Sequence, residues 1–137
     1  MIRLLLIEDD PMRIALFQNW LPDDIRLVAA SSAGKAIGIL QRDRGRIYAG
    51  ILLDHDLQEQ IITDTDRLLS GSDLTKIIIR NISRDVPVLV HSMNAIRGPL
   101  MAEALKAAGF PVTRIPMSCL TRNCFLDWLE EVRDMME

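Results

Sequence analysis

Aromatic residues are scarce in this chain: two Trp, one Tyr and three Phe among 137 residues. That is too few for a platform on which successive bases of a single strand could stack. Cysteine is nearly absent. Cys119 and Cys124 lack the Cys-x-x-Cys spacing of redox and zinc sites and are too few for a disulfide framework, so they read as plain thiols in a reducing cytoplasm. The apolar stretches are short, far below the roughly 20 residues that a membrane-spanning helix needs. Acids follow the first apolar run, which is not the pattern of a secretory signal. A positive excess is missing too: the net charge is −3, so no global field favours nucleic acid or anionic lipid. Gly34-Lys35 lacks the glycine spacing of a phosphate-binding P-loop. There is no internal repeat, low-complexity tract or linker, and a single domain over residues 1–137 is expected.

What is present is an alternation of short β-rich runs with helical patterns. Strand-like runs cover Ile2–Ile7, Ile25–Ala30, Ile47–Leu53, Val86–His91 and Phe110–Ile115. Between them lie helical patterns from Met12 to Trp20, from Ser32 to Leu40, from Gly71 to Ile82 and from Asn94 to Ala108, with a last one over residues 120–136. The near-continuous apolar run before Asp54 marks a central strand buried on both faces. Residues 57–70 mix apolar pairs with Gln, Asp and Thr and read as a long, partly ordered loop. Its Asp64, Asp66 and Arg67 are expected to be solvated. Five βα units in sequence predict a three-layer α/β/α fold, a five-stranded parallel sheet of order 2-1-3-4-5 in the flavodoxin-like manner.

In such a fold, ligands bind outside the carboxyl ends of the strands. Those ends are where this sequence concentrates its polar chemistry. Glu8 and Asp9 follow strand 1, Asp54 and His55 follow strand 3, and His91 and Ser92 close strand 4. The two histidines are the only ones in the chain. Three carboxylates in one crevice repel each other, and a hard divalent ion such as Mg²⁺ relieves that repulsion through oxygen ligation. The bland alternative for Glu8 and Asp9 is a helix N-terminus with favourably placed acids.

On Leu4-Leu5-Leu6-Ile7-Glu8-Asp9-Asp10-Pro11, Ile51-Leu52-Leu53-Asp54, Val86-Pro87-Val88-Leu89-Val90 and Ser92, the chain resembles the receiver domain of two-component response regulators. The resemblance implies Mg²⁺ on acids of strands 1 and 3, a phospho-accepting Asp54, a switch hydroxyl on Ser92 and a histidine-kinase partner. One feature departs: receivers carry a Lys just before the Pro that follows strand 5, and here Ile115 precedes Pro116. Arg114 lies one residue earlier, and a one-residue offset in a strand turns a side chain to the opposite face.

Asp54-His55-Asp56-Leu57 and His91-Ser92-Met93-Asn94, with Asp9-Asp10, Arg13, Trp20 and Gly71, resemble a narrower group, the receiver-like domains named for cyclic-phosphate processing. That resemblance implies a cyclic-phosphate ligand, small or at an RNA end. Opening such a phosphodiester needs a base, an acid and positive charge on the phosphoryl oxygens. Asp54, His55 and His91 are the candidate catalytic residues, with Asp56 orienting His55. Arg13, Ser92 and Asn94 are candidates to hold the phosphate. Glu8, Asp9 and Asp54 are the candidate metal ligands. Alternation along a strand favours His55 over His91 as the histidine that enters the crevice, because a histidine next to an inward-pointing Ser92 turns away. Three readings follow: a metal-assisted cyclic phosphodiesterase, a stand-alone receiver phosphorylated on Asp54, and a degenerate receiver that serves as a protein-interaction module.

Overall fold

The computed structural model describes residues 1–55 and 71–136. Five strands are hydrogen-bonded in the order β2-β1-β3-β4-β5: β1 Ile2–Ile7, β2 Ile25–Ala30, β3 Gly50–Leu53, β4 Val88–Val90 and β5 Val112–Arg114. All pairings are parallel. Among the described residues there are five helices: α1 Pro11–Trp20, α2 Ala33–Arg42, α3 Gly71–Asn81, α4 Arg97–Ala107 and α5 Arg122–Met135. None is long and apolar enough to cross a membrane.

Alternation along the strands builds two apolar layers. Leu5, Ile7, Ile51, Leu53, Val88 and Val90 pack with α2, α3 and α4. Their neighbours Leu4, Leu6, Leu52 and Leu89 pack with Phe17 of α1 and with Phe125, Trp128, Leu129 and Val132 of α5. Successive side chains of a strand face opposite ways, so a strand buried on both sides must be apolar at every position. This is why β3, β4 and the Leu4–Ile7 part of β1 read as unbroken hydrophobic runs.

The elements start and stop where side chains take over backbone hydrogen bonds. Asp10 caps α1, its Oδ1 accepting from Met12 N at 2.9 Å, and Pro11 opens the helix where no amide donor is needed. Ser32 and Thr121 cap α2 and α5 in the same manner. The expected strand over Ile47–Leu53 is shorter: Ile47 is half exposed and pairing begins at Gly50. Tyr48 turns inward to place its hydroxyl 2.6 Å from Asp43 Oδ2, and the bonding to β1 starts with Ala49 N donating to Arg3 O at 2.8 Å. Likewise α4 begins at Arg97 rather than Asn94, because the Asn94 side chain accepts from Ile96 N and Arg97 N at 3.1 and 2.7 Å. The expected loop over 57–70 lies outside the described residues.

Two glycines separate packing from propensity. A Cβ on Gly50 would sit 2.8 Å from Trp128 Cη2 and 3.1 Å from both Leu4 Cδ2 and Val132 Cγ2. Gly50→Ala should therefore lose about 1–3 kcal/mol through overpacking. Gly38, inside α2 with nothing near its Cβ position, should gain about 0.5–1 kcal/mol as Ala. Urea unfolding of both variants checks this; equal midpoints would contradict the packing account.

Candidate functional site

The carboxyl ends of β1 and β3 are adjacent because Ile7 pairs with Leu53. One residue further on, Asp54 N donates to Ile7 O at 3.0 Å, which sets Asp54 beside Glu8. Glu8, Asp9 and Asp54 are all buried. One carboxylate oxygen from each lies within 4.8 Å of the others. Backbone donors fix the acids in place. Glu8 Oε2 accepts from Asp9 N at 3.0 Å and Asp10 N at 3.2 Å, and Asp54 Oδ1 accepts from His55 N at 2.9 Å.

This arrangement is electrostatically costly. Burial pushes Glu8 up to about 7, against the pull of the Asp10 amide and Arg13. Burial also raises Asp54 to about 6, and the charge of Glu8 adds to the rise. Arg13, from the first turn of α1, is the nearby cation. Its Nη1 lies 3.5 Å from Glu8 Oε1 and 3.9 Å from Asp54 Oδ2, and its Nε lies 3.6 Å from Asp10 Oδ2. Charge-assisted hydrogen bonds run about 2.7–2.9 Å, so Arg13 steadies the cluster by its field without clamping any one acid. Three hard oxygen donors, buried, converging and short of positive charge, are the donor set a divalent hard cation takes. The residues fit such an ion.

His91 is fully buried. Alternation turns it to the α1/α5 side, where its ring meets Phe17 edge-on at 5.2 Å and its Nε2 hydrogen-bonds Glu8 Oε1 at 3.0 Å. Burial lowers its pKa to about 4, with the charge of Asp54 opposing. The structure thus places His91, a catalytic candidate of the sequence reading, enclosed beneath Glu8 and bonded to it. His55 is only half-buried, at the start of the segment after β3. Asp56, expected to orient His55, lies outside the described residues.

Ser92 and Asn94 follow β4, which lies across β3 from β1. Ser92 is buried, and its Oγ accepts from Asn94 N at 3.1 Å. Asn94 spends its carbonyl on the α4 amides, so the structure gives it a capping part beyond the expected phosphate contact. Sequence reasoning missed the Glu8–His91 bond and the approach of Arg114 to Gly98 described below. Both follow from which sheet face each residue occupies, and counting alternation from Val88 and Val112 is the signal that finds them.

The profile of the family described as the cyclic-phosphate processing receiver domain matches residues 3–107. No curated protein sequence matches the chain. Among solved structures, it is similar to the receiver domain of a sensor histidine kinase from Pseudomonas aeruginosa, described with a magnesium ion coordinated in the active-site cleft. That pair shares 22% identity, covers 98% of each chain and has a TM-score of 0.67. The response regulator domain of Thermotoga maritima CheB gives a TM-score of 0.67 at 16% identity, covering 99% of this chain and 96% of that one. A chemotaxis CheY protein of Vibrio cholerae gives 0.61 at 15% identity over 96% of this chain and 98% of that one. At these identities the likeness shows the receiver fold.

The carboxylate shifts set a pH dependence. Glu8, raised from 4.5 to about 7, binds a proton in the fold at a pH where the unfolded chain does not. The stability this contributes is present at low pH and lost as pH rises through about 7. Asp54, raised to about 6, acts with the same sign over a lower window. His91 acts oppositely below its ordinary 6.5, and its contribution is lost as pH falls toward about 4. Between pH 8 and 6.5, without divalent ions, the fold should therefore gain stability on acidification, chiefly through Glu8. Glu8→Gln should flatten that limb and add about 1–3 kcal/mol at pH 8. Thermal unfolding across this range checks it, and an unchanged slope in the variant would contradict it.

Proposed function

Because the chain belongs to the cyclic-phosphate processing receiver family, we propose that it binds and opens a cyclic phosphodiester at a divalent-cation site formed by Glu8, Asp9 and Asp54. The ligand class is a 2′,3′-cyclic nucleotide or the cyclic-phosphate end of an RNA. The observation that carries this reading is the convergence of three buried carboxylates, two of them pushed toward neutrality, in a crevice bordered by Arg13 and Ser92. Mg²⁺ bound there would supply positive charge to the phosphoryl oxygens and orient them.

The chain's own residues do the rest. Arg13 and Ser92 hold phosphoryl oxygens, with Asn94 keeping the turn beyond Ser92 in shape. His55 takes a proton from the attacking water and returns one to the ester oxygen that leaves. The water oxygen bonds to phosphorus, one P–O ester bond breaks, and the product is a phosphomonoester. Asp56 steadies the His55 ring. His91 is a positioning residue that keeps Glu8 aimed at the cation.

A second reading has its own support. Asp54 stands at the end of a central strand, with Oδ1 held by the His55 amide and Oδ2 facing Arg13, a disposition suited to accepting a phosphoryl group from a histidine kinase. Against it, Ile115 packs into the α1/α5 layer, so the position directly before Pro116 carries no cation on the face of the acids.

Turnover separates the two. With Mg²⁺, the protein should hydrolyse 2′,3′-cyclic AMP, and His55→Ala should lower the rate about 10²–10⁴-fold. Asp54→Asn should abolish Mg²⁺ dependence. Acetyl phosphate with Mg²⁺ should leave the mass unchanged. A one-phosphoryl mass increase that Asp54→Asn removes, without hydrolysis of the nucleotide, would replace the enzyme reading by the receiver reading. Neither reaction, together with no Mg²⁺ binding, would leave a protein-interaction module.

A further inference from the structure

Where β5 meets the first turn of α4, beside Ser92, lies a cation that the proposed reaction does not use. Val112 packs on the α2–α4 side of the sheet, so Arg114, two residues on, faces the same side. Its guanidinium lies over the first turn of α4 in a space that exists because residue 98 is glycine. A Cβ there would sit 3.2 Å from Arg114 Nε, 3.4 Å from Arg114 Nη2 and 3.4 Å from Ser92 Cβ. Arg114 and Ser92 thus border the same notch.

Arg114 Nε is buried with no hydrogen-bond partner, and among the described residues no carboxylate pairs with this side chain. A guanidinium stays charged at any physiological pH. Leaving one of its donors desolvated and unmade is unfavourable, so the arrangement suits an anion that enters from outside. The helix terminus itself is closed. Ile96 N and Arg97 N are taken by Asn94 Oδ1, and Gly98 N by Asn94 O at 2.9 Å. Ser92 Oγ accepts from Asn94 N, which leaves its own hydrogen to donate. The donors this notch offers are therefore a guanidinium and a hydroxyl, side by side.

We propose that Arg114, reaching past Gly98, is a phosphate-binding residue of this crevice and meets a phosphoryl oxygen beside Ser92. It takes the part that a cation at position 115 would play, but from the opposite face of the sheet. Arg13 reaches the ligand from the side of the acids, and Arg114 from the opposite face of the sheet. The inference rests on the reading of the crevice as a phosphate site.

Titration calorimetry with 2′,3′-cyclic AMP in saturating Mg²⁺ tests it, with Mg²⁺ affinity and thermal midpoint measured for every variant. Arg114→Ala should weaken nucleotide binding about ten- to a hundred-fold. Arg114→Lys should recover part of that loss. Gly98→Ala, which displaces only the end of a flexible side chain, should fall between wild type and Arg114→Ala. Mg²⁺ affinity should stay within about twofold throughout, since Arg114 touches none of the acids. If wild type binds the nucleotide and Arg114→Ala binds it equally, this inference fails and the phosphate site stands. If Arg114→Ala loses Mg²⁺ affinity in step with nucleotide affinity, its role is structural and the inference fails. If wild type binds Mg²⁺ but no nucleotide, the cyclic-phosphate reading fails and this inference falls with it.

Discussion

The constraint on which the site depends is the burial of three carboxylates where β1 and β3 end. Parallel pairing of Ile7 with Leu53 leaves no freedom in this: continue both strands by one residue and Glu8 and Asp54 are side by side. A fold governed by stability alone would separate them or pair each with its own cation. Here one half-buried arginine, at distances beyond a hydrogen bond, serves both. Both acids respond by holding protons more tightly than free carboxylates do. The cost of burying carboxylate charge, with repulsion from Glu8 adding to it at Asp54, is stored in the site, and a divalent ion is the simplest partner that releases it.

Around that centre, the two faces of the sheet divide the work. The α1/α5 face carries the acids, the donor set of the proposed cation site, with Arg13 and the enclosed His91. The α2–α4 face carries Ser92 and Arg114, the proposed phosphate contacts. Because side chains alternate along a strand, β4 supplies both faces in succession, His91 to one and Ser92 to the other. The crevice is thus assembled from residues adjacent in sequence and opposed in space. Replacing the Lys position with Ile115 strengthens the apolar layer on one face, while Arg114 places charge on the other.

Much of this was legible in the sequence. The unbroken apolar runs at Leu4–Ile7 and Ile51–Leu53 mark buried parallel strands, and the acids directly after them mark the ligand end of the sheet. The strand order follows from the βα alternation, and the observed β2-β1-β3-β4-β5 agrees with it. Element boundaries were less legible because side chains decide them. Asn94 delays α4 by spending its carbonyl on two amides, and before Ala49, which donates to Arg3 O, the chain spends Tyr48 on a bond to Asp43. Long-range contacts were least legible. His91 comes to lie against Glu8 because β4 continues one bond past its last strand residue, with His91 N donating to Leu53 O at 3.1 Å, and Arg114 is accommodated because Gly98, on another element, has no side chain.

The most direct test of the account is proton release on Mg²⁺ binding, measured by calorimetry at pH 6.5 in buffers of different ionisation enthalpy. If Glu8 and Asp54 hold protons in the metal-free site as their raised pKa values imply, binding must expel part of them. On the order of half to one proton should be released per ion at pH 6.5, falling toward zero by pH 8.5. Mg²⁺ binding with no proton release at pH 6.5, or no Mg²⁺ binding at all, would contradict the claim that the burial of these carboxylates together makes this crevice a cation site.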